Sequence, residues 1–150
     1  LLLKIYPSLR PHTAVLDICK WGADDGDQKM KSRYYPHIDK AKVFGDHYVR
    51  DFSEHSRGVA VDVSLLYAKT GKPVDMGGHH DLLDPSSTTD STLVTPSQRR
   101  NRMILKTAFE KQGFANYAPE WWHYRLLNEP EPTLHYYFPV WDGMTSAGRP

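Results

Sequence analysis

The stretch Gly58-Val59-Ala60-Val61-Asp62-Val63-Ser64 decides the fold. Side chains along a strand alternate between two faces. Val59, Val61 and Val63 therefore form an apolar face turned to a core, and Asp62 is displayed on the opposite face from a rigid element. Upstream, Leu1 to Tyr6 reads as another strand, entered midway and closed by Pro7 and the pair Arg10-Pro11. Apolar residues at Ala14, Val15, Ile18 and Trp21 predict a helix over 13–21, stopped by Gly22 and the acidic run Asp24-Asp25-Gly26-Asp27. The stretch 29–51 has weak periodicity and reads as loop with at most a short helix.

Downstream, Lys69-Thr70-Gly71-Lys72-Pro73 is a turn that leads into Val74-Asp75-Met76. Residues 77–95, rich in Gly, His, Ser, Thr and Asp, read as a long surface loop. Thr95-Pro96 supplies an N-cap followed by Pro at the first helical position. Ile104, Leu105, Ala108 and Phe109 mark the apolar face of that helix, which ends at Gly113. Glu120 to Arg125 and Leu134 to Phe138 are β-prone through their aromatic content. Helices and strands without regular βαβ alternation predict an α+β domain, a mainly antiparallel sheet with flanking helices. The 150 residues suit one domain able to fold without disulfides.

With 19 basic and 18 acidic side chains, the chain has no electrostatic case for nucleic acid or an anionic membrane surface. A small substrate suits this balance. No apolar run reaches the roughly 18 to 20 residues that span a bilayer. Cys19 has no partner for a disulfide or a thiolate metal site and reads as a small buried hydrophobe. Nothing in the sequence specifies an oligomeric state.

Two clusters carry chemistry. In Ser53-Glu54-His55-Ser56-Arg57-Gly58-Val59-Ala60-Val61-Asp62, an imidazole and a carboxylate offer two of the three protein ligands usual for catalytic zinc, provided the chain bends at Gly58. Unrelated surface residues would show the same spacing. In Pro119-Glu120-Trp121-Trp122-His123-Tyr124, a metal ligand and a proton-transferring carboxylate could stand together. Residues three apart face opposite ways on a straight strand, so this arrangement requires a turn. The plainer reading is an aromatic strand with both Trp side chains in a core.

Taken in order, "SEHSRGVAVDVSL", "VDMG" and "EWWHY" resemble the signatures of the D-alanyl-D-alanine dipeptidases, the VanX type within the M15 zinc peptidases. "KIYPSLRP" resembles that family's strand ending in Arg-Pro, and "QRRNRMILKTAFEKQGF" resembles its helix before the Glu-Trp-Trp-His motif. The resemblance implies an M15/Hedgehog-like domain with one Zn2+ held by His55, Asp62 and His123. It implies Glu120 as general acid/base, Arg10 as oxyanion stabiliser, and Ser53 and Asp81 as substrate contacts. Two positions depart from the pattern: Pro7 where Asp is usual, and His80 where Phe is usual. The family's N-terminal elements are missing, so 1–150 is expected to be a single, N-terminally incomplete domain.

The implied activity is hydrolysis of D-Ala-D-Ala or related short peptides in peptidoglycan metabolism. The alternatives are an M15-type D,D- or L,D-carboxypeptidase or endopeptidase on cell-wall peptides, or an inactive zinc-containing module that binds them. The resemblance favours a cytoplasmic location over the cell envelope. His79-His80 is a competing metal pair, but adjacent residues in extended chain point apart. His12, His37, His47 and His135 lack an acidic or Cys partner at metal spacing and are expected in surface or packing roles.

Overall fold

The computed structural model describes residues 1–6, 8–45 and 52–138; Pro7 and His47 lie outside them. Strand β2 (Ala60–Leu66) is the axis of the sheet. It pairs antiparallel on one side with β1 (Leu2–Ile5) and on the other with β4 (His123–Leu126), which pairs in turn with β3 (Phe114–Asn116). The order is β1-β2-β4-β3, in keeping with the α+β reading.

The alternation read from the valines holds. Val63 and Leu65 enter the core with Val74, Met76, Leu105, Trp121, Trp122 and Tyr124, and Val61, Phe109 and Phe114 pack against it. Asp62 points to the other face, yet it is also buried, because the second face of β2 is covered as well. Edge strand β1 is exposed along its length.

Helix α1 (His12–Ala23) realises the predicted helix; Cys19 on it is half-buried rather than buried. Between α1 and β2 the described residues form two short α-helices, α2 (Lys31–Tyr34) and α3 (Lys40–Gly45), one more than expected for 29–51. Helix α4 (Pro96–Glu110) begins with a reciprocal capping box. Thr95 Oγ1 accepts from the Gln98 amide, and Gln98 Oε1 accepts from the Thr95 amide.

The buried face of α4 keeps Leu105 and Phe109 of the one expected but not the other two residues. Ile104 and Ala108 face solvent, while Arg102 is fully buried beside Leu105. Arg102 donates to the carbonyls of Met76, Ser86 and Thr88 at 2.6–2.8 Å. This clamp corrects the reading of 77–95 as a surface loop, because Asp84, Ser87, Thr89 and Ser91 are buried in it. Loop backbone taken out of water needs donors, and the guanidinium supplies them. The loop contains one 3-10 turn, Pro85–Ser87.

Two further differences concern the C-terminal half. Strand β3 was not anticipated; its three residues are too few for a visible pattern. Leu134 to Phe138 form no strand. Instead the Tyr136 amide donates to Ser56 and its carbonyl accepts from His12, tying this segment across α1 and the 53–57 turn.

Candidate metal centre

His55 sits in a 3-10 turn, Glu54–Arg57, capped by Ser53, whose hydroxyl accepts from the His55 amide. Gly58 leaves this turn at φ +71, in the left-handed region that an L side chain enters at a cost. The bend required by the sequence is thus present, and β2 follows at Ala60. Across the sheet, Asp62 is in register with His123. The flanking bond from the Val63 amide to the Trp122 carbonyl makes Asp62 and His123 a non-hydrogen-bonded pair, in which facing side chains stand closest.

Glu120 reaches the same side because residues 117–122 turn before β4 starts. The Glu120 amide donates to Tyr117, the His123 amide donates to Glu120, and Asn116 Nδ2 donates to the carbonyls of both Glu120 and His123. Trp121 and Trp122 are in the core, as the plainer reading of this motif expected, and Glu120 and His123 both face a cavity.

The His55, Asp62 and His123 side chains are all buried, and one donor atom from each lies within 4.8 Å of the others. His55 Nε2 is 3.1 Å from His123 Nδ1, and Asp62 Oδ1 is 3.5 and 3.2 Å from those two nitrogens. Asp62 Oδ1 is fully buried, and its polar neighbours are those two ring nitrogens, which places an anionic oxygen at a point two imidazoles also face. The donor chemistry fits a divalent cation of the zinc type with a coordination position left open. His55 Nδ1 lies 2.6 Å from the Ser8 carbonyl. A carbonyl only accepts, so Nδ1 carries the proton and Nε2 presents its lone pair to the centre.

The electrostatics agree. Burial opposes ionisation of Asp62, but the rings of His123, His55 and His80 hold its carboxyl well below the usual range. Burial also opposes charge on His123, yet Asp62 and Glu54, with Glu120 nearby, push it up to about 9. A ring that attracts a proton this strongly without metal is one from which a cation would displace it. Glu120 is pushed up to about 7, chiefly by burial, with His123 opposing and the charges of Asp62 and Asp81 reinforcing.

All seven residues singled out in the sequence line one cavity of about 850 Å³: Arg10, Ser53, His55, Asp62, Asp81, Glu120 and His123. Asp81 adopts φ +63, the one non-glycine residue with positive φ among those described. Desolvation at the cavity wall raises its carboxyl above the ordinary range. His79 and His80 diverge as expected: the His79 ring meets the Arg33 carbonyl, and His80 Nε2 meets Asp62 Oδ2 at 3.1 Å. His80 stacks on Tyr6 with ring centroids 3.9 Å apart, and with Asp62 and Asp81 it forms a second set of converging donors.

His37 finds a carboxylate that sequence spacing hid, Asp84 at 2.6 Å. His12 and His135 pack in an aromatic cluster with Phe52. Two contributors escaped the sequence reading. Asn116 gave no signal apart from its neighbourhood, and Glu54 was visible only as a carboxylate beside a candidate ligand.

Residues 1–141 match the family model described as D-ala-D-ala dipeptidase, Peptidase M15. A D-alanyl-D-alanine dipeptidase of Streptomyces coelicolor is 41% identical over 138 residues, 92% of this chain and 68% of that protein. Proteins of the same name from Enterococcus faecalis and Enterococcus faecium are each 36% identical over the same shares. No helix among the described residues is long and apolar enough to cross a membrane.

Proposed function

Because the chain belongs to the M15 D-Ala-D-Ala dipeptidase family, we propose that it is a zinc peptidase that hydrolyses D-alanyl-D-alanine in peptidoglycan metabolism. His55, Asp62 and His123 hold the ion. The observation that carries this reading is the meeting of two imidazole nitrogens with a buried carboxylate oxygen beside a second carboxyl pushed up to about 7. The bound ion supplies Lewis acidity toward the scissile carbonyl and makes water more acidic.

The remaining work falls to the chain. Glu120, buried and 3.8 Å from His123 Nδ1, takes a proton from the attacking water and returns it to the leaving amine nitrogen. A carboxyl poised near neutrality can do both, since proton exchange is most effective when pKa and working pH agree. Arg10 faces the same cavity and offers a fixed positive charge to the oxygen of the tetrahedral carbon. Asp81 is suited to the ammonium of the substrate, a cation that would stabilise its raised carboxylate. Ser53 caps the turn bearing His55, so its part in substrate contact is joined to the placement of a ligand.

The test is release of free D-alanine from D-Ala-D-Ala by the zinc-loaded protein, compared with a pentapeptide stem ending in the same dipeptide. Efficient turnover of the free dipeptide is expected. Cleavage confined to the longer substrate would move the activity to a carboxypeptidase, and metal binding without turnover of either would reduce the chain to a binding module.

A further inference from the structure

We infer that Glu54 is a positioning residue for the metal centre: its carboxylate fixes the ring of His123 so that Nδ1 faces the ion. This rests on the zinc reading above. His123 approaches the centre through Nδ1, 3.2 Å from Asp62 Oδ1 and 3.1 Å from His55 Nε2. Its other nitrogen, Nε2, lies 3.2 Å from Glu54 Oε2. A carboxylate only accepts, so Nε2 carries the proton and Nδ1 is left as the metal-facing lone pair. Ligating histidines commonly donate their far nitrogen to a carboxylate or carbonyl, which sets tautomer and ring angle and raises ligand basicity.

The arrangement parallels that of His55, whose far nitrogen is taken up by the Ser8 carbonyl. The two differ in charge. A neutral carbonyl orients His55, whereas an anion orients His123, and the anion is itself held in place. Arg125 Nε is 3.5 Å and Arg57 Nη2 3.8 Å from Glu54 Oε1. Arg57 is braced in turn by a two-point pairing with Glu129. Glu54 thus spends one oxygen on the ring and the other on two arginines, which prevents it from swinging into the centre as a competing ligand. Its place in the 3-10 turn immediately before His55 couples the two histidines through one short segment.

The experiment measures zinc affinity of the whole chain by competition with a chromophoric chelator, with the visible spectrum of the Co2+-substituted protein as a second readout. Glu54→Ala is expected to weaken zinc binding by about 10- to 100-fold and to alter the Co2+ bands. Glu54→Gln keeps the shape and an acceptor oxygen, so it is expected to lose less, roughly tenfold or under. If Glu54→Ala does not fold, as judged by far-UV circular dichroism, the Gln variant carries the test. Affinities within twofold of wild type and unchanged Co2+ bands in the folded variants overturn the role of Glu54 alone. A wild-type chain that takes up no zinc overturns the metal reading and this inference together.

Discussion

Replacing Glu120 with Gln in the metal-free chain is expected to make the protein more stable at pH 8 by ~3 kcal/mol but by under ~1 kcal/mol at pH 5. In the folded chain the Glu120 carboxyl is raised to about 7 from an ordinary 4.5, and burial is the main cause. Between those two values the folded state keeps a proton that the unfolded state has released. Stability must then fall as pH rises through this window, and level off on either side. At about 1.36 kcal/mol per pH unit, the loss accumulates to ~3 kcal/mol by pH 8. Gln carries no charge at either pH, so the variant escapes that loss. The attraction of ionised Glu120 to His123 is already contained in the value of about 7. Urea unfolding after chelator treatment, followed by tryptophan fluorescence at pH 5, 6, 7 and 8, yields both curves. Parallel curves over the whole range would refute the claim that Glu120 is held in a site that resists its charge. With zinc restored, the same variant should keep the ion and lose turnover by roughly 100-fold or more.

His55→Ala, Asp62→Ala and His123→Ala should each abolish near-stoichiometric zinc in metal analysis of the purified protein, and retention in all three would refute the ligand set. Arg10→Ala should keep zinc yet lower kcat by roughly 100- to 1000-fold; a change confined to KM would make Arg10 a binding residue instead. Arg102→Met should cost ~3 kcal/mol or more in urea unfolding. It strips donors from three carbonyls at about 1–3 kcal/mol each, and a loss below ~1 kcal/mol would show that water replaces them.

The parts of the fold legible in the sequence were those where one physical pattern acted locally. Alternating valines announced β2, and Thr95-Pro96 announced α4, because strand faces and helix caps are written in neighbouring residues. The errors arose where distant chain overrode local preference. Ile104 and Ala108 fit an apolar stripe, but Arg102 took a buried place beside Leu105, since Met76 and the adjoining 77–95 loop left three carbonyls in need of a donor. Leu134 to Phe138 has strand composition, yet it joins no sheet edge; the backbone of Tyr136 bonds instead to His12 and Ser56, and the Phe138 carbonyl accepts from the Thr13 hydroxyl. In the site, His55, Asp62, Glu120 and His123 were recognisable by their motifs. Glu54 became meaningful only once His123 was seen to approach through Nδ1, a choice of ring nitrogen that no spacing encodes.

The direct pairing of Asp62 with His123 across β2 and β4 ties assembly to chemistry. A slip of one residue between these strands would turn each side chain to the opposite face, burying a carboxylate among tryptophans and presenting valine where a ligand belongs. The competent chain and the correctly paired chain are therefore the same population. If His55, Asp62 and His123 hold zinc as proposed, metal uptake would also report the alignment of the sheet, and added zinc should draw a refolding mixture toward that alignment.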